Sequence, residues 1–171
     1  MQKLLFLLLL LPVIGFAQRQ DVYIKFTDAT GKAIVGDVTI KGFEKSIAAL
    51  TIGSAGRNNV QTNFTMPITG ASADLKKAMT NNETLQSGMV SVTQVDPASG
   101  RQLLMYTIKM EGIKVNTCSE SMGCNSTTTT ATSITATRIG WTYYEYGKTG
   151  VQSVSRKFGF DASTGKEWTG F

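Results

Sequence analysis

Apolar and polar residues alternate along most of the chain, the spacing that puts one face of a strand in a core and the other in water. Val22 to Thr27 opens the pattern, and Asp28 to Lys32, rich in Gly and Asp, reads as a turn. The pattern resumes with Val38 and Ile40 against Thr39 and Lys41, then becomes more apolar through Ile47, Leu50 and Ile52. One strand is therefore expected over 38–52. Gly53, Ser54, Ala55, Gly56, Arg57, Asn58 and Asn59 read as a flexible loop. Val60 to Ile68 alternates again, with Asn63 and Thr65 opposed to Phe64 and Met66.

One stretch changes period. From Ser72 to Met79, Leu75, Ala78 and Met79 fall at i, i+3 and i+4, on one face of a short helix. Ser72 is placed to cap its first amides, Asp74 suits the positive end of the dipole, and Asn81-Asn82 ends it. A helix this short does not stand alone in water, so it must lie on a sheet.

Strands return at Met89 to Val95, with a turn over Asp96 to Gly100, and at Leu103 to Val115. The threonine-rich stretch from Asn125 to Thr132 suits a strand as well as a loop. Ile134 to Tyr146, carrying Trp141, Tyr143, Tyr144 and Tyr146, reads as a long strand, and Val151 to Phe160 pairs back on it. About eight strands and one helix indicate a mainly β fold, a barrel or a sandwich.

Composition narrows the chemistry. The chain has 171 residues, 42% hydrophobic and 17% charged, enough for one folded domain. It has no histidine, so Ser-His-Asp and Cys-His machinery and His-ligated metal sites are ruled out. Two cysteines are too few for an all-cysteine zinc site or an iron–sulfur cluster. The net charge of +5 is scattered, and its only adjacent basic pairs are Lys76-Lys77 and Arg156-Lys157. No stripe tracks a phosphate backbone, so nucleic acid is not an expected partner.

Residues 1–17 form the first segment. Lys3 precedes an apolar run from Leu4 to Leu11, and Gly15 and Ala17 put small residues before a cut between Ala17 and Gln18. That is the layout of a secretory signal peptide, and the run is shorter than the ~20 residues of a membrane span. The expectation is an exported protein, periplasmic or secreted, whose domain spans 18–171 and which does not insert in the membrane once the signal is removed. Beyond the cytoplasmic membrane Cys118 and Cys124 are expected to form a structural disulfide pinning a hairpin tip. A redox pair or metal clip is the other reading, but the spacing is not Cys-x-x-Cys and no other soft ligand is near.

Other motifs have ordinary readings. Gly147-Lys148-Thr149 resembles the end of a phosphate loop, but Thr142 stands where its first glycine belongs. Ser72 and Lys76 are spaced as a Ser–Lys pair, which a capping serine and a solvated lysine explain more simply. Glu145, among tyrosines, is the nearest candidate for carboxylate chemistry on a sugar, and it has no second acid beside it. Neither enzyme activity nor a cofactor is expected.

The order of the segments resembles the haemolysin-coregulated protein family, the tube proteins of type VI secretion. Gly36-Asp37 with 47–50 and Gly56 is similar to that family's second strand and extended loop. Asn63-Phe64-Thr65, Ile68, Ser72 and Leu75 to Met79 resemble its strand-then-helix signature. Ser87 to Thr93, Tyr106 to Val115, Ser133 to Ile139 with Tyr143-Tyr144, and Val151 to Asp161 follow in the family's order. The chain departs from the family in Thr51 and Ile52, where aromatic residues are usual, and in its signal segment.

The resemblance implies a β-barrel of two packed antiparallel sheets with one short helix on its side. It also implies homo-hexameric rings that stack into a tube and hold effector or cargo protein in the lumen. By position in that fold, Gly53 to Asn59 is the candidate ring-stacking loop. The alternative function is a secreted binding module that captures a protein or peptide, through that loop or the lumen face, without forming tubes.

Overall fold

In the computed structural model, which describes residues 19–55, 60–97, 99–122, 128–147 and 150–171, the alternating segments form ten strands and the 3.6-period segment one helix. The strands are β1 (Gln20–Thr27), β2 (Ala33–Ile34), β3 (Ile47–Ala49), β4 (Thr51–Ala55) and β5 (Gln61–Pro67), followed by α1 (Gly70–Thr80). Then come β6 (Thr84–Val95), β7 (Gln102–Ser121), β8 (Thr129–Tyr146), β9 (Gln152–Asp161) and β10 (Lys166–Glu167).

All pairings are antiparallel, in the order β10-β9-β8-β7-β6-β1-β2, with β3 joined to β1 and the β4–β5 pair joined to β8. The long strand β8 is where the sheet branches. Thr129 to Thr135 pairs with β5, whereas Arg138 to Tyr146 pairs with β9. The sheet thereby curls until β5 and β8 face β1 and β6 across the core. Phe26 and Phe64 meet there with ring centroids 6.0 Å apart, among the fully buried Ile24, Met66, Met110, Ile113 and Ile139.

A kink makes this curl possible. Below it Ile113 and Val115 of β7 and Ala136 and Ile134 of β8 are buried; above it the buried positions are Met110, Ile108 and Ile139. The alternation changes phase at Gly112, whose φ of 61° an ordinary side chain resists. The Thr137 hydroxyl occupies the space beside it and donates to the Gly112 carbonyl at 3.1 Å.

Three expectations are corrected. The strand expected over 38–52 forms only in its last third, as β3 and β4. Before it the chain doubles back, with Gly36 N–H and Val38 N–H bonding the carbonyls of Lys45 and Ser46 at 2.8 and 3.1 Å. Positive φ at Gly42 and Lys45 makes the turn, and Ile40 is left exposed. Next, Gly53, Ser54 and Ala55 are not loop. They pair with Asn63, Thr62 and Gln61 in the β4–β5 hairpin, while 56–59 lie outside the described residues. Finally, Thr69 and not Ser72 is the N-cap of α1. Ser72 sits one turn inside, where its hydroxyl accepts the Thr69 amide at 3.1 Å.

The helix lies on β7 through Ala71, Leu75 and Ala78, each almost fully buried. Burying a leucine side chain of this kind contributes roughly 1.5–3 kcal/mol, which holds so short a helix in place. It ends where expected, at Asn81, with Asn82 in the left-handed region. The threonine-rich stretch is strand from Thr129 on, with Thr130 and Thr132 buried in β8, while 125–127 lie outside the described residues.

A candidate assembly surface

The β4–β5 hairpin presents half of the candidate stacking loop. Its strands are held by the ladder and by a 2.7 Å contact between the Thr51 and Thr65 hydroxyls. Gly53 and Ser54 are exposed, and Arg57 lies outside the described residues. So do the expected cut between Ala17 and Gln18, Cys124, and Lys148-Thr149.

Cys118 is buried in the core, and its thiol has no disulfide partner among the described residues. Its Sγ lies 3.8 Å from the Ser72 carbonyl under α1 and 3.9 Å from the Thr132 hydroxyl. Burial pushes the thiol above its ordinary value, with the Thr132 hydrogen bond opposing. Nearby, Thr130 donates to the Ser72 hydroxyl at 3.0 Å, and Lys76 pairs with Glu120 at 2.7 Å. Ser72 and Lys76 therefore face different partners and form no dyad. Glu145 accepts a hydrogen bond from the Ser155 hydroxyl.

The distal ends of β7, β8 and β9 carry a feature that linear spacing could not reveal. Register places Tyr106 opposite Tyr143, and Trp141 opposite Phe158. Their rings form one continuous stack, with centroids 5.5 Å apart for Tyr106–Tyr143, 6.5 Å for Tyr143–Phe158 and 4.8 Å for Phe158–Trp141. This stack prolongs the core-facing side of the sheet into solvent, for Tyr143 is 41% and Phe158 51% exposed. Burial raises the Tyr106 hydroxyl above its ordinary value. The sequence signal was the aromatic cluster at 141–146, but two of its members, Tyr144 and Tyr146, belong to the opposite face. Tyr146 instead ties the arm down, its hydroxyl accepting the Leu104 amide at 2.7 Å.

That opposite face is closed by the end of the chain. Gly140 and Gly159 stand opposite each other on β8 and β9, and the Phe171 ring fills the space that their missing side chains leave. Lys157 Nζ lies 4.4 Å from the Phe171 centroid, and Lys109 Nζ donates to the Gly170 carbonyl at 3.2 Å. Asp161 anchors the turn into this segment. Its carboxylate accepts the Ser163 amide at 2.9 Å and pairs with Arg138 at 3.0 Å. The Ser163 hydroxyl, then Arg138 and the turn amides, hold it below the usual carboxylate range against the effect of desolvation.

The described residues thus form a branched antiparallel sheet curled into a barrel, with one helix on its side and an arm with an exposed aromatic face. Residues 23–143 match the family model described as Type VI secretion system effector, Hcp, and the chain belongs to that family. Solved structures agree in fold. Hcp1 from Salmonella typhimurium superposes with a TM-score of 0.69 at 16% identity, covering 87% of this chain and 99% of that one. A variant of Hcp1 from E. coli EAEC 042 gives 0.65 at 21%, covering 79% and 97%. The secreted protein Hcp3 from Pseudomonas aeruginosa gives 0.64 at 18%, covering 84% and 98%. A search of curated proteins finds no match. Among the described residues, no helix is long and apolar enough to cross a membrane.

Proposed function

We propose that this chain is an exported structural subunit that assembles into six-membered rings, which stack through the segment 53–59 and hold cargo protein in the lumen. Family membership over 23–143 is the observation that carries this reading. The molecule's own chemistry supports it. The outer edge of β9 from 152 to 158 has no strand partner among the described residues, and the aromatic face beside it is open. Closing a ring covers such edges without open-ended aggregation. Removal of residues 1–17 after export is part of the proposal, as is a Cys118–Cys124 disulfide formed in the oxidising compartment.

Negative-stain microscopy of the processed protein tests the reading. Rings and short stacks are expected from the natural chain, and single rings from Arg57→Glu. Uniform single-copy particles would overturn the assembly. Stacks unchanged by Arg57→Glu would show that the segment 53–59 does not join the rings.

A further inference from the structure

The strand registers put two unlike patches at the two ends of one hydrogen-bonded row. Ala49 of β3 stands opposite Val22, Val22 opposite Val92, Val92 opposite Tyr106, Tyr106 opposite Tyr143, and Tyr143 opposite Arg156 of β9. The row crosses six strands, about 24 Å measured along the sheet. At its β9 end is a knob: Tyr143 and Phe158, half-exposed, with Arg156 beside them. At its β3 end is a hollow of about 360 Å³, whose lining includes Val22, Ile40, Ala49 and Leu50 and the charged Arg19, Asp21 and Asp37. Leu50 is 56% exposed there, the counterpart of the exposed rings on the knob.

We infer that the two patches are halves of one contact: the Tyr143–Phe158–Arg156 knob of one copy of this chain docks in the Val22–Leu50–Asp37 hollow of the next. This rests on the ring reading and names the surfaces that would build the ring. Charge complementarity selects the partner, because among the described residues the knob carries the unpaired cation Arg156 and the hollow, where Arg19 and Asp21 pair with each other, carries the unpaired anion Asp37. Asp21 is already engaged by Arg19 and by Gln102, at 2.9 and 3.1 Å. Asp37 and Arg156 are exposed and make no ion pair among the described residues, so each is free for the other.

Placement on one row selects the geometry. Both patches lie at one level of the strands, so seating a knob in the next hollow is a head-to-tail contact, which forms a ring when its rotation closes. The contact runs through side chains and not through strand addition. The register slips between Tyr143 and Tyr144, which bulges β9 at Ser155, and Arg156 and Lys157 charge its edge; both features block a further strand. The rings also stack on one another, so their faces are occupied and what they offer is a row of edges that fits an apolar hollow.

The test is a charge swap on the processed full chain, with mass read by light scattering and folding by thermal melts. Arg156→Asp and Asp37→Arg should each reduce the assembly to single copies without moving the melting temperature, and the double variant should restore it. Rings of natural size in either single variant would overturn the contact while leaving the ring reading intact. Two disrupted singles with no restoration would overturn the Arg156–Asp37 pairing. A natural chain that is a single copy at all concentrations would instead overturn the ring reading itself.

Discussion

Phe171 and the glycines beneath it show how a single residue can dictate two others. A methyl group at Gly140 would overlap the Phe171 ring, and one at Gly159 would overlap that ring and the Trp168 carbonyl. Phe171→Ala should cost about 1–2 kcal/mol, less than the 3–5 of a fully buried phenylalanine, because the ring is partly solvated. Gly140→Ala should cost a similar amount by expelling the ring. The double variant should cost little more than either single one, since both remove the same contact. Chemical denaturation of the three variants checks this, and strict additivity would contradict it. The sequence gives no warning of the arrangement: the glycines become neighbours only through the β8–β9 register, 19 residues apart in the chain.

Asp161 makes the pH prediction. Its folded-state value is depressed, so its stabilisation is complete above the ordinary carboxylate value of about 3.9 and fades as pH falls through the folded value. Asp161→Asn should melt lower than the natural chain at pH 7, and the gap should narrow as pH falls below 4. A gap that stays constant from pH 7 to pH 2 would show that the carboxylate's charge is not what holds the turn.

Among the elements, α1 was the most legible in the sequence, since its apolar spacing named Leu75, Ala78 and Met79 directly. Its start was misplaced because Ser72 is a good capping residue whose hydroxyl is used one turn later, pointing back to Thr69. Leu75→Ala should cost 2–5 kcal/mol, roughly the range for emptying a buried leucine site, as measured by urea unfolding. A loss below 1 kcal/mol would mean that the helix does not depend on this anchor.

The segment 38–52 misled for a physical reason. Apolar residues at two-residue spacing also occur in a chain that doubles back, and only the backbone at Gly36, Gly42 and Lys45 decides between the two. The β7–β8 hairpin is longer than expected because threonines that are polar in composition are buried in it. Its tip bears on the cysteines. A closed loop as short as Cys118 to Cys124 restricts the unfolded chain little. Cys118→Ser with Cys124→Ser should therefore remain folded, with near-natural circular dichroism; loss of the folded state would overturn this.

At the scale of the molecule, composition excluded the usual catalytic and metal-binding devices, and the order of segments pointed to the Hcp family before any coordinates. Where copies would meet was not legible. Both halves of the proposed contact combine residues from distant segments: the knob joins β8 to β9, and the hollow joins β1 to the 37–40 turn and β3. Only the register brings them to one level. A chain with such a knob and hollow should not remain single.

Light scattering on the processed protein, over a range of concentrations at low and high salt, is the most direct test of that claim. A discrete mass near six chains is expected, persisting on dilution and falling as salt screens the Arg156–Asp37 pair. A single-chain mass at every concentration and salt would contradict it, and would point to capture of a secreted partner as the use of this fold.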